Sequence, residues 1–198
     1  MRMNEHRRWQ RAAMAAMAAL MMSACAPSTS RFYTLMPPSQ AKVAVPVGAA
    51  AFELRAVRVP GQVDLPQLVV REGVGEVRVA ETHQWVAPLH DEVRSALSAL
   101  LAARLGQADL YRVPQPEGLA LTRITVELRR FDSVPGDHVG IDALWAIQPP
   151  GDAVLRTCSG SFRESVSRSG YDALVEAHQR ALGRLADAIH AALTTPDC

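Results

Sequence analysis

The chain has 198 residues, with 21 Lys+Arg against 20 Asp+Glu, and is 48% hydrophobic, 21% charged and 5% aromatic. That length predicts one folded domain, two at most, and the apolar fraction excludes wholesale disorder. The near-zero net charge argues against a nucleic-acid binder, which carries a basic face, and three cysteines without zinc spacing make no disulfide scaffold.

The first 25 residues are the most informative. Arg2, Arg7, Arg8 and Arg11 stand against the single acid Glu5, and Ala12 to Met22 carries no charge. A basic region, a short apolar run and small residues before a cut describe a secretory signal over residues 1–24. Eleven helical residues reach roughly 16 Å against about 30 Å of hydrocarbon, so the run is not a mature span. Met22-Ser23-Ala24-Cys25 resembles a bacterial lipobox, with Met22 in place of the usual Leu. Such a signal implies a diacylglycerol on the Cys25 thiol and cleavage that makes Cys25 the first mature residue. Ala24-Cys25-Ala26 also reads as an ordinary A-x-A site, a cut that puts the disfavoured Pro27 just past the scissile bond. Arg7-Arg8 resembles a twin-Arg signal only weakly, because His6 and Gln10 fit it poorly. Each buried methylene contributes roughly 0.8 kcal/mol, so two acyl chains anchor stably. Ala26 after Cys25 resembles the sorting pattern of outer-membrane lipoproteins. Removing residues 1–24 leaves 17 basic against 19 acidic residues, a mature chain with no electrostatic reason to seek phosphate.

Residues 25–31 form a short tether, with about 20 Å of reach over six extended residues. Residues 32–198 read as one α+β domain. Phe32 to Leu35 predicts a strand, Met36 to Gln40 a connector, and Val43 to Val47 an extended stretch. Phe52 to Ala56 alternates with period two, and Val57 to Val59 continues it out of phase, as a bulge would. Pro60-Gly61 is a turn. Leu68 to Arg71 and Glu76 to Thr82 are strands around a hairpin turn at Gly73 and Gly75. Leu89, Val93, Leu97, Leu100, Leu101 and Leu105 share one helical face, with Asp91 and Glu92 in the first turn and Gly106 as the cap. Ile124, Val126 and Leu128 alternate with polar residues in the cleanest strand. Pro135-Gly136-Asp137 and Pro149 to Asp152 turn the chain into strands over Val139 to Ile147 and Ala153 to Ser165, an antiparallel meander. Ser169 and Asp172 resemble a capping box. Leu174, His178, Leu182, Leu185 and Ile189 lie on the stripe of a second helix, Tyr171 to Leu193. About seven strands and two long amphipathic helices predict a mainly antiparallel sheet with both helices packed on one face. About 165 residues bury close to 70% of their unfolded surface, enough for one core.

No residue pattern points to catalysis, a cofactor or a metal. His178 and His190 are too far apart on one helix for a shared metal, and His178 reads as a hydrogen-bonded core histidine. His83 and His90 flank Trp85, but no acid pair or cysteine completes a ligand set. Ser159-Gly160-Ser161 lacks the nucleophile elbow and reads as close packing or a bend. Cys158 and Cys198 either pair, closing a loop of 40 residues worth roughly 4 kcal/mol, or stay apart, one buried and one at the terminus.

Phe32 to Leu35 after the lipobox, then Val59-Pro60-Gly61-Gln62-Val63-Asp64-Leu65-Pro66-Gln67, Trp85-Val86-Ala87-Pro88-Leu89 and Arg130-Phe131-Asp132, resembles the ABC-type transport auxiliary lipoproteins. These are PqiC-like lipoproteins that accompany MCE-type lipid transport systems. This sequence departs from the family at Gln62-Val63, Leu65 and Ala87 and keeps the Pro and Gly frame. The resemblance implies a non-catalytic accessory subunit on the periplasmic side of the outer membrane, lipid-anchored through Cys25. It implies docking to an MCE-domain periplasmic protein, with a homo-oligomer as one arrangement. Pro60, Gly61, Asp64, Pro66, Gln67 and Trp85 are the candidate partner-binding residues, each with a structural alternative as turn former or core. A lipoprotein scaffold of another envelope complex, an anchored hydrolase and a lipid-binding carrier are the competing readings.

Overall fold

The structure is a computed structural model that describes residues 29–38, 51–115, 117–151 and 153–195. The expected signal sequence, Cys25, the expected extended stretch at Val43 to Val47 and Cys198 lie outside the described residues.

Among the described residues nine elements follow in chain order: β1 Arg31–Tyr33, β2 Ala51–Arg58, β3 Gln67–Arg71, β4 Val77–Trp85, α1 Leu89–Leu105, β5 Leu121–Val134, β6 His138–Gln148, β7 Arg156–Ser165 and α2 Tyr171–Thr194. The α+β class and both helices stand as the sequence pattern predicts. The sheet does not. The strands divide into a three-stranded sheet, β1-β4-β3, and a four-stranded sheet, β2-β5-β6-β7. Each is mixed, because β1 joins β4 and β2 joins β5 in parallel. Period-two alternation reports that a strand is half buried and carries no information on its neighbour or direction. The meander β5-β6-β7 is antiparallel throughout.

Local chemistry sets the boundaries. α1 starts after Pro88, whose carbonyl accepts the Asp91 and Glu92 amides, and ends at Gly106 with φ 65°, a left-handed cap that glycine adopts without a Cβ penalty. The expected capping box at Ser169 and Asp172 is not formed. Gly170 occupies the N-cap with no side-chain bond, and Asp172 faces Arg168 at 3.5 Å. β7 begins at Arg156, later than expected, since Ala153, Val154 and Leu155 are exposed.

Two bulges re-aim the strands of the four-stranded sheet, and a third register shift lies between Gln67 and Leu68 in the β3–β4 pair. The β2–β5 register shifts between Leu54 and Val57, which explains the broken alternation there. In β5 the register shifts between Leu128 and Arg130. Ile124, Val126 and Leu128 are buried before it and Phe131 and Ser133 after it, so the inward face passes from even to odd positions. One continuous cluster of buried side chains joins both sheets and both helices. α2 lines β6 and β7, α1 lines β2, and the helices pack on each other. Arg104 fastens the helix pair, donating to Asp187 at 2.6 Å and to the Gly183 carbonyl at 2.9 Å. Arg71 to Asp132, at 2.9 Å, bridges the sheets.

Candidate functional site at the chain entry and the motif loop

The chain enters the fold through β1 and is clasped at once. Glu92, 4% exposed, accepts the Leu35 amide and the Thr34 hydroxyl at 2.8 Å each through Oε2. Gln179 of α2 donates to the Thr34 and Met36 carbonyls at 3.2 and 3.3 Å. Leu35, 1% exposed, is driven into the core between them. Beside the clasp, His83 stacks between Tyr33 and Tyr171, at centroid distances of 5.8 and 3.9 Å. Burial, then the nearby Arg31 and Arg78 charges, hold the His83 imidazole below its ordinary pKa. Arg78 donates to Glu72 and to the Tyr171 hydroxyl, which locks its charge in place.

The motif loop is built on backbone bonds. The Val63 amide donates to the Pro60 carbonyl at 3.0 Å, closing the expected turn, and Val63 is buried. The Trp85 amide donates to the Pro66 carbonyl at 2.8 Å, which ties the loop to the end of β4. Gln67 opposes Gln84 at the start of β3. Asp64 meets His90 Nδ1 at 3.0 Å. Trp85 is 5% exposed, and its ring meets Phe131 edge-on at 6.4 Å, so its side chain serves the core. Gly61 is exposed, and a Cβ there would meet nothing within 4 Å. His83 and His90, which flank Trp85, do not share partners.

The loop borders two surface recesses. Asp64, Leu65 and Pro66 line one of about 460 Å³ with Phe32, Trp85, Val86 and Pro88. Gln62 and Val63 line another of about 250 Å³ with Val69, Arg71, Val77 and Asp132. Phe32 and Val86, on the rim of the first, are 62% and 64% exposed.

Two polar centres lie inside the fold, and the sequence pattern points to only one of their residues, His178. Asp109, whose side chain is 7% exposed, accepts the Leu54 and Tyr111 amides through Oδ1 and Arg94 and Ser98 through Oδ2, at 2.8–3.0 Å. Four donors satisfy one buried carboxylate and join β2, α1 and the segment between α1 and β5. The second is Ser133 and His178, hydrogen-bonded at 2.8 Å and both buried. His178 was expected as a bonded core histidine, and it is one, stacked on Phe131 at 3.9 Å. Burial pushes its pKa down to about 3, so the ring is neutral. Its partner came into reach only through the β5 bulge. Among the described residues His178 Nδ1 has no hydrogen-bond partner, and none of their acids orients the ring as a catalytic triad requires.

Among the described residues no group of three or more His, Cys, Asp or Glu side chains is placed to hold a metal, and no helix is long and apolar enough to cross a membrane. Gly160 fits the close-packing reading of Ser159-Gly160-Ser161: a Cβ there would meet the Phe162 ring at 3.0 Å and Trp145 at 3.4 Å. Cys158 is buried and disulfide-bonded, with its partner outside the described residues.

Fold and site together define a two-sheet α+β domain whose chain entry is clasped and whose motif loop presents surfaces. The model of the ABC-type transport auxiliary lipoprotein component matches residues 33–190, and the chain belongs to that family. No curated protein matches the sequence. A crystal structure of an uncharacterized protein is similar at TM-score 0.69 and 19% identity, covering 83% of this chain and 99% of that one. Protein XCC0632 from Xanthomonas campestris, assigned to the DUF330 family, is similar at TM-score 0.58 and 15% identity, covering 82% of this chain and 90% of that one. At such identities the likeness is one of fold.

Proposed function

We propose that this chain is an outer-membrane lipoprotein, acylated at Cys25, that serves as a non-catalytic accessory subunit of an MCE-type ABC lipid transport system. The observation that carries the reading is the family match beginning at Tyr33, eight residues after the lipobox cysteine. The body works by holding a position in the periplasm and offering a surface to the MCE-domain protein. The Pro60–Val63 turn is that surface. It is fixed by its own backbone bond, and its Gln62 side opens on the recess shared with Val69, Arg71 and Val77. A rigid loop loses little conformational freedom on docking.

A carrier needs an enclosed apolar cavity for acyl chains. The recesses described above open onto solvent, so they lend that reading no support.

The test is capture of the tagged, full-length protein from detergent-solubilised membranes, followed by mass spectrometry. Recovery of an MCE-domain protein is expected. Recovery of another envelope complex in its place would overturn the reading.

A further inference from the structure

The first recess offers a second role. Its exposed rim comes from Phe32, next to the start of β1, and Val86, just after β4. The two strands pair in parallel, with the Val86 amide bonded to the Tyr33 carbonyl at 2.9 Å, so two distant parts of the chain place these side chains at one site. Pro66 and Pro88 border it, and Trp85 lies behind. Large apolar side chains exposed side by side mark a contact surface.

We propose that the Phe32–Val86 rim seats in the headgroup layer of the phospholipid surface that holds Cys25. This rests on acylation of Cys25. Phe32 lies seven residue steps beyond Cys25, a span of about 25 Å at full extension, less than one bilayer thickness. Among the described residues, Phe32 is the first exposed large apolar side chain in the chain after Cys25. An aromatic ring and a short aliphatic side chain, both exposed, match the chemistry of a headgroup boundary, where apolar groups enter. One acylated residue fixes the distance of the body from the membrane and leaves its orientation free. A second, apolar contact fixes the orientation, and lipid anchoring commonly combines two signals in this way.

The test uses the full-length protein expressed with its signal, purified from membranes and reconstituted into vesicles of phosphatidylethanolamine and phosphatidylglycerol with brominated acyl chains. Phe32→Trp and Val86→Trp are compared with Val154→Trp, a control at another exposed apolar position. Both rim variants should show emission quenched about twofold or more beyond the control. Flotation with vesicles and the intact mass of the Cys25 peptide are read in parallel. An acylated, floating protein whose rim variants are quenched no more than Val154→Trp overturns the rim contact and leaves the anchor standing. An unmodified Cys25 in a protein that does not float overturns both. Quenching that disappears when a purified MCE-domain partner is added assigns the rim to that protein and overturns the lipid contact.

Discussion

Glu92 reaches from the first turn of α1 to accept the Leu35 amide at 2.8 Å, across 57 residues of sequence. The carboxylate is nearly sealed from water, and its Oε2 also holds the Thr34 hydroxyl. A buried charge is tolerated only when its lone pairs are filled. Here the donors come from the first segment of the folded body, so α1 and the chain entry are fastened by one side chain.

Replacing Glu92 tests that fastening. Glu92→Ala strands the Leu35 amide in the core and should destabilise by about 2–3 kcal/mol, read as a lower urea midpoint at unchanged m-value. Glu92→Gln keeps an acceptor oxygen and should lose less. Equal losses would place the effect in helix packing.

Stability should fall with acid through His178. Its pKa is depressed to about 3 in the fold, against about 6.5 in the unfolded chain. The unfolded state then binds the extra proton, so stability is fully present above pH 6.5 and is lost as pH drops from there toward about 3. Denaturation midpoints measured across that window should slope downward. Subtracting the profile of His178→Gln should isolate the contribution, and parallel profiles would remove His178 as its source.

Gly160 and Gly61 make a contrasting pair. A Cβ at Gly160 presses on Phe162 and Trp145, whereas one at Gly61 enters open space. Gly160→Val should cost about 1–3 kcal/mol by overpacking, while Gly61→Ala should leave the melting temperature unchanged. Gly61→Trp should then fold normally and fail to capture the proposed MCE-domain partner. Undiminished capture would move the docking surface elsewhere.

Non-reducing peptide mapping should find Cys158 joined to Cys198. The contact of Arg156 with the Thr195 carbonyl, at 2.6 Å, brings the chain after α2 beside the start of β7. Cys198→Ser should cost roughly 4 kcal/mol in the chain-entropy model, seen as a lower melting temperature that reductant no longer changes. A Cys158–Cys25 bridge would defeat both this pairing and the lipid anchor.

Asp109→Asn keeps the shape and loses the charge and one acceptor, leaving Arg94 and Ser98 to compete for an amide that donates as well as accepts. A loss of about 1.5–3 kcal/mol is expected by chemical denaturation.

What the sequence made legible was local. α1 runs from Leu89 to Leu105 as the apolar spacing and Gly106 require, and α2 extends one residue past its expected end. The Pro60 turn, the Gly73–Gly75 hairpin and the meander also follow from nearby residues. The two-sheet division did not, because strand partners are chosen by packing across long loops. β5 shows the same limit. Arg129-Arg130 interrupts the alternation, which signals a bulge only after the register is known. With the bulge in place, Ser133 turns inward to His178. Glu92 and Asp109 read as ordinary surface acids, one favouring a helix dipole and the other lying in a loop. Half of their donors are the backbone amides of Leu35, Leu54 and Tyr111, which no residue code announces. For the candidate site, the Pro and Gly frame was visible, but the burial of Trp85 and the Phe32–Val86 rim depend on β1 joining β4.

The parallel alignment of β1 with β4 has a mechanical consequence. A pull along the strand axis at Arg31 loads the rungs of that ladder together, in shear, rather than peeling them one at a time from a free end. Glu92 and Gln179 then act as stops beyond the last rung. A short strand held this way resists traction better than its three residues suggest.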